Sequence, residues 1–197
     1  MNIEQRNELL LRRRLLFLTK DITSTTVSAI ENLITDMVLE DSKKPITCVI
    51  DCCGGNPNPT LYLHDFIKSL PCEINAAIIG KCHSSTLTLL PAFKYRASAR
   101  HARFAFHAMV QSLEIKITGN FEEQIKEVVQ TLKITYEQVM EVQMKGYNLS
   151  REDLLELREM GERYDVSLSA EQAKERGIIH SIVDKFNFLH DIEPIST

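Results

Sequence analysis

Along this chain, short unbroken hydrophobic runs alternate with longer stretches in which apolar residues recur every three or four places. That pattern predicts strands passing into amphipathic helices. Residues 15–18 form the first apolar run. Thr23 and Ser24 then offer N-cap oxygens to a helix whose apolar positions include Val27, Ile30, Leu33, Ile34 and Val38. Pro45 ends the next loop, and residues 46–50 read as a buried strand. It stops at the turn-rich Asp51-Cys52-Cys53-Gly54-Gly55-Asn56-Pro57, ahead of a helix over 60–70. Residues 74–79 make another strand, closed by Gly80, and a helix starts over 84–90. Strands are expected at 103–106 and 113–117, the second alternating as a half-exposed strand does. Asn120 caps a long helix with one apolar stripe through Ile125, Val128, Val129, Leu132, Tyr136, Val139 and Met140, ended by Gly146. Ser150 with Asp153, and Ser169 with Gln172, have the spacing of capping boxes for two further helices. A last strand is expected over 178–183.

Strand–helix–strand order of this kind predicts right-handed crossovers and a mainly parallel sheet flanked by helices, an α/β fold. No internal repeat or linker interrupts it. The 197 residues therefore read as a single domain, with a short N-terminal segment at 1–9 and a loose tail at 187–197.

Composition narrows the function classes. Hydrophobic residues make up 44% and charged residues 25%, a globular profile, and the formal net charge of -4 gives no electrostatic footprint for nucleic acid. The basic run Arg12-Arg13-Arg14 reads as a solvated helix end. No apolar run is long enough to span a membrane, and the N-terminus lacks the features of a signal peptide. Five cysteines, Cys48, Cys52, Cys53, Cys72 and Cys82, form no C-x-x-C pair and fit a reduced, cytoplasmic setting.

In a parallel sheet, ligands collect beyond the carboxyl ends of the strands. Two strand ends stand out. At Cys52-Cys53-Gly54-Gly55 the paired glycines permit a sharp turn with bare N–H groups, raw material for an oxyanion hole, although Gly-Gly is also an ordinary turn. At Gly80-Lys81-Cys82-His83-Ser84-Ser85-Thr86 a serine sits where strand passes to helix, beside the helix N-terminal N–H groups. Either Ser84 or Ser85 could equally be a plain N-cap. A nucleophilic serine needs a base. His64 lies on an amphipathic helix, His101 in a basic loop, His180 in the last strand and His190 in the tail. His107 directly ends the strand Phe104-Ala105-Phe106, a rigid support.

These segments together resemble the Clp protease proteolytic subunit family. Ile50-Asp51-Cys52-Cys53-Gly54-Gly55 resembles that family's I-N-S-P-G-G turn, and Ile79-Gly80-Lys81-Cys82-His83-Ser84-Ser85 its I-G-Q-A-A-S-M segment. Arg103-Phe104-Ala105-Phe106-His107 is similar to R-x-x-I-H. Asp165-Val166-Ser167-Leu168-Ser169-Ala170-Glu171-Gln172-Ala173 follows the outline D-x-x-F/M-L/S-A-x-E-A, and residues 11–18 resemble L-L-K-E-R-x-I-F-L. The resemblance implies the superfold shared with crotonases, with a long handle helix after Asn120. It implies Ser84 as nucleophile, His107 as general base, Asp165 as orienting carboxylate, and the backbone N–H groups of Gly55 and Ser85 as oxyanion hole, with no cofactor. Peptide or unfolded-protein substrates, a heptameric ring that stacks in pairs, and an AAA+ ATPase partner are implied likewise.

The departures from the family carry expectations of their own. Cys52-Cys53 in place of Ser-Pro is expected to loosen the oxyanion turn, and Ser85-Thr86 in place of Met-Gly to hold the serine helix off its neighbours. Tyr164 stands where an arginine used between rings is usual. Residues Asn2–Leu10 are too short for the family's axial arm, so basal peptide cleavage without an ATPase is expected. Three other readings compete: a proteolytically silent ring subunit; a crotonase-type acyl-CoA enzyme, for which only Asp51 supplies a carboxylate; and a metal or thiol site at Cys52, Cys53, Cys82 and His83, whose spacing fits no standard zinc pattern.

Overall fold

The sheet grows from the apolar runs. The computed structural model describes residues 3–110, 119–164 and 167–186. β1 (Leu15–Leu18) pairs with β2 (Ile46–Cys52), β2 with β3 (Ile74–His83), and β3 with β4 (Arg96–Ala99); β6 (Ser181–Val183) then pairs with β4, and β5 (Arg103–Ala105) extends β3. All these pairings are parallel. The helices are α1 (Ile3–Arg12), α2 (Ser24–Glu40), α3 (Pro57–Ser69), α4 (Ser85–Leu89), α5 (Phe121–Tyr147), α6 (Arg151–Tyr164) and α7 (Ala170–Glu175). The α/β class, the parallel sheet and the long helix are as expected.

Local chemistry accounts for the boundaries. Thr23 caps α2 through its hydroxyl, Asn120 caps α5, and Ser169 with Gln172 forms a full capping box on α7. Ser150 and Asp153 exchange side chain-to-backbone bonds at 2.8 and 3.0 Å ahead of α6. One core runs beneath α2, α3 and the sheet, with Leu16, Leu18, Ile34, Ile46, Ile50, Leu63, Ile78 and Phe104 fully buried.

Several expectations are corrected. β3 does not stop at Gly80 but continues to His83, with a register shift in β2 between Ile50 and Cys52. A Cβ at Gly80 would lie 2.4 Å from the Asp51 carboxylate, whose Oδ1 accepts the Lys81 N–H at 2.8 Å. Gly80 thus makes room for a strap across the shift. Gly146 lies inside α5, where a Cβ would meet the Pro91 ring at 2.3 Å; the helix ends at Asn148, which adopts φ 54°, ψ 41°. Arg14 is not solvated. Its guanidinium is buried and donates to the carbonyls of Met37, Asp41, Lys44 and Pro45, closing the C-terminal end of α2 onto the loop before β2. Arg12 behaves as a helix-end cation, bonded to Glu8. α3 begins at Pro57, three residues early, β4 was not foreseen, and the last strand covers only Ser181–Val183. The strand expected at 113–117 and the tail at 187–197 lie outside the described residues.

Candidate active site

At the junction of β3 and α4, Ser84 holds φ 54°, ψ −124°, a left-handed backbone that side chain-bearing residues adopt only under constraint. Two bonds hold it there: its N–H donates to the Ala105 carbonyl at 2.9 Å, and its own carbonyl accepts the Leu87 N–H at 2.9 Å. Ser84 stands at the N-cap position of α4, yet its side chain makes no capping bond. The Oγ is left for other work. Ser85 differs: its hydroxyl donates to the Gly55 carbonyl at 2.7 Å, and the residue is buried. The neighbouring serines, equal in the sequence, separate into one hydroxyl without a hydrogen bond among the described residues and one structural tie.

That tie joins α4 to the Gly54-Gly55 turn. A Cβ on Gly54 would lie 2.8 Å from Ser84 Cβ and 3.0 Å from Ser85 N; one on Gly55 would lie 2.4 Å from the Ile22 carbonyl oxygen. With φ of 108° and 148°, both positions require glycine. Ile22 clamps the turn from the far side, donating to Gly54 O and accepting from Asn56 N, each at 2.8 Å. The turn is not loosened by its cysteines. Cys52 Sγ accepts the Gly54 N–H at 3.3 Å and donates to the Lys20 carbonyl at 3.2 Å. Nor does Thr86 hold the helix away: it is fully buried, with its hydroxyl directed at the Cys52 carbonyl. Among the turn, loop and cap bonds of the described residues, none uses the N–H of Gly55 or of Ser85.

His107 follows β5 and lines the same small cleft, of about 30 Å³, as Ser84, Ser85, Pro57, Phe106 and Met109. Its Nδ1 is 2.6 Å from the Ala108 carbonyl oxygen. A carbonyl only accepts, so Nδ1 is the donor of this bond, and in the neutral ring Nε2 is then the atom that can accept a proton, the arrangement a general base needs. No hydrogen bond joins Ser84 Oγ to His107 among the described residues. Asp165 lies outside them. Its chain neighbour Leu168 is described, and exchanges both backbone bonds with Phe104, at 2.7 and 3.1 Å, in an antiparallel bridge.

Sequence reasoning missed the support behind His107. α6 lies so close to this segment that a Cβ on Gly161 would fall 1.8 Å from the Phe106 carbonyl oxygen. One residue on, Glu162 Oε1 accepts the Ala108 N–H at 3.0 Å. A glycine inside a helical pattern was the available signal. Also unforeseen is a buried relay, Arg158 Nη2 to Gln143 Oε1 and Gln143 Nε2 to Thr88 Oγ1, both 3.0 Å, of which all three residues line the cleft.

The competing chemistries fare differently. Cys52 and Cys82 are register partners on β2 and β3, but burial pushes both thiols up, as it pushes Cys48 up to about 12, so these are protonated and poor nucleophiles. Exposed Cys53 has Lys81 Nζ 3.7 Å from its sulfur. No group of three or more His, Cys, Asp or Glu able to hold a metal occurs among the described residues. Asp51, the carboxylate a crotonase-type reaction would need, is occupied by the Lys81 N–H. His64 pairs with Asp65, and His180 Nδ1 accepts the Arg96 N–H at 3.0 Å. No helix among the described residues is long and apolar enough to cross a membrane.

Known proteins share this sequence pattern. The sequence model of the Clp protease family matches residues 2–186. The ATP-dependent Clp protease proteolytic subunit 1 of Prochlorococcus marinus (strain MIT 9312) is 28% identical over 183 residues, spanning 89% of this chain and 87% of its own. Subunit 1 of Chlamydia pneumoniae is 27% identical over 182 residues, 91% of this chain and 92% of its own. The Pinus contorta subunit is 25% identical over 177 residues, 89% and 82%.

Proposed function

The chain belongs to the Clp protease family, and from that premise we propose that it is a serine endopeptidase subunit of a ring protease acting on peptides and unfolded proteins. Ser84 Oγ attacks the scissile carbonyl while His107 Nε2 removes its proton. The N–H groups of Gly55 and Ser85 receive the developing oxyanion. Collapse expels the amine, which takes the proton back from His107 and leaves an ester on Ser84. Water then hydrolyses the ester through the same base. The observation that carries this reading is Ser84 itself: a constrained left-handed serine whose hydroxyl has no hydrogen bond among the described residues, sharing a cleft with a histidine whose Nδ1 faces a carbonyl oxygen.

Asp165 enters the proposal through register. His107 lies three residues beyond Phe104, and Asp165 three residues before Leu168. The antiparallel pairing of Phe104 with Leu168, carried along both segments, would set carboxylate opposite imidazole with the side chains on one face. The carboxylate would then replace the Ala108 carbonyl at Nδ1.

Ring assembly is supported by apolar side chains left in water on α5: Phe121, Val129 and Ile134 are each between 42% and 51% exposed. On the same helix Met140 is buried in the core and Met144 packs against it. A heptamer, its pairing into double rings and a partner AAA+ unfoldase rest on the family. A silent ring subunit remains the second reading, favoured by the missing Ser84–His107 bond; resting serine peptidases often tighten that bond only with substrate. One experiment separates the two. A fluorophosphonate probe should label the purified protein at Ser84, with Ser84→Ala unlabelled and both sedimenting as rings. A ring that takes no label is the silent subunit; a label mapped to Ser85 overturns the site.

A further inference from the structure

Arg158 lines the cleft that holds Ser84 and His107, and its charge is poorly answered. The residue is only 7% exposed. Nη2 bonds Gln143 and Cζ lies 5.3 Å from the centre of the Tyr136 ring, whereas Nη1 is buried without a hydrogen-bond partner among the described residues. No carboxylate pairs with it there. Glu162, one helical turn on, is bonded to the Ala108 N–H, and Glu137 is taken by both Nη atoms of Arg151 at 2.7 Å. Burial accordingly lowers the pKa of the Arg158 guanidinium. A buried cation that no described carboxylate answers is costly, and one fixed in place by a relay through Gln143 to Thr88 is already oriented. A purely structural tie would need no charge, since the Gln143–Thr88 bond and the Tyr136 face could be met by a neutral side chain.

We propose that Arg158 is a specificity-determining residue that receives a substrate carboxylate, namely the side chain of a glutamate or aspartate whose own carbonyl Ser84 attacks. This rests on the reading of Ser84 and His107 as the reacting pair, because only the residue at the scissile bond reaches a wall of the same cleft. At about 30 Å³ the cleft has room for about one water molecule. Entry of a side chain displaces Met109, an unbranched residue suited to yielding. The carboxylate exchanges its water for Nη1, and Gln143 keeps Nη2.

The test compares blocked tetrapeptide aminocoumarins that differ only in the residue before the dye: Glu, Gln or Leu. The Glu substrate should exceed its isosteric Gln partner in kcat/KM by about tenfold or more, the scale of a charge-assisted bond. Arg158→Met should erase that preference while still hydrolysing the Leu substrate; Arg158→Lys should keep part of it. Should Arg158→Met not fold, the wild-type ratios and the lysine variant decide. A second arm uses Ser84→Ala and fluorescein-labelled peptides ending in Glu-amide, Gln-amide or Leu with a free carboxylate, read by anisotropy. Tighter binding of Glu-amide, lost without Arg158, supports the subsite even if the wild type hydrolyses nothing, in which case only the catalytic reading falls. Equal binding of Glu-amide and Gln-amide overturns the subsite whatever the turnover. Arg158-dependent binding of the free Leu carboxylate alone overturns the side-chain assignment in favour of a peptide terminus.

Discussion

Replacing Gly161 by alanine sets two opposed effects against each other, and their sum tests how α6 holds the histidine. Judged by helix propensity alone, the exchange stabilises by about 0.5–1 kcal/mol. The contact with the neighbouring chain works against it. The new methyl would sit 1.8 Å from the Phe106 carbonyl oxygen and 3.6 Å from His107 Cα. Carbon and oxygen approach no closer than about 3.3 Å, so α6 or the Phe106–His107 backbone must give way by about 1.5 Å. The obstacle is main chain, not the tip of a flexible side chain. Overpacking of this kind costs about 1–3 kcal/mol, which outweighs the propensity gain and lowers the melting temperature by roughly 2–4 °C per net kcal/mol. Activity should suffer more, because a shift of about 1 Å in a catalytic group costs about a hundredfold. Calorimetry and peptide hydrolysis measure both, with Glu156→Ala, an exposed change on the same helix, as control. If Gly161→Ala melts higher than the wild type and hydrolyses peptides at the same rate, the propensity term is unopposed and the proposed buttress does not exist.

Three further outcomes are expected. Arg14→Leu removes a buried cation that serves four carbonyls, and should cost about 3 kcal/mol, read as a large drop in urea midpoint with catalysis intact in the folded fraction. Asp165→Asn should lower kcat by up to about four orders of magnitude through the wrong imidazole tautomer; an unchanged kcat would leave orientation of His107 to the Ala108 carbonyl. His180 has its pKa lowered from the ordinary imidazole value by burial and then by the Arg96 charge. Its contribution to stability is therefore present above the unfolded value and lost as pH falls through the folded one, so melting temperature should decline from pH 7 to pH 5 less steeply in His180→Gln than in wild type.

Strands and helices were legible wherever burial followed apolarity. The runs at Leu15–Leu18 and at 46–50, within the longer Ile46–Cys52, and the capped helices needed no tertiary information. Glycine misled because it was read as a breaker. Gly80 and Gly146 are glycine for lack of a side chain, one against the Asp51 carboxylate and the other against Pro91, while the helix stop fell to Asn148. Arg-Ala-Ser-Ala carries no apolar signature, yet it forms β4 with Arg96 bonded to the Gly177 carbonyl and lying over Tyr147. Arg14 hid for the same reason. A charge run says nothing of four carbonyls that a distant loop will bring to it.

The site divides along a similar line. The segments of Ser84 and His107 stood out because each follows a strand, and strand ends are where a parallel sheet exposes chemistry, but the family resemblance supplied their roles. Choosing Ser84 over Ser85 on physical grounds required the structure, since only the bond from Ser85 to the Gly55 carbonyl shows which hydroxyl is committed. Glu162 and Arg158 were out of reach: each acts on a segment more than a dozen residues away in sequence, and each sits on a helix face that periodicity assigns to packing or to solvent. Asp165 marks the boundary between the two cases. Its distance from His107 in sequence carries no geometry. Phe104 and Leu168 form an isolated bridge, and only in the proposed continuation of that pairing would the two three-residue steps become one register, in which a slip of a single residue would turn the carboxylate to the opposite face. The proposed triad is therefore only as secure as the two backbone bonds between Phe104 and Leu168. Proline at Leu168 removes the N–H that makes the shorter of them and should uncouple Asp165 from His107 without touching either side chain.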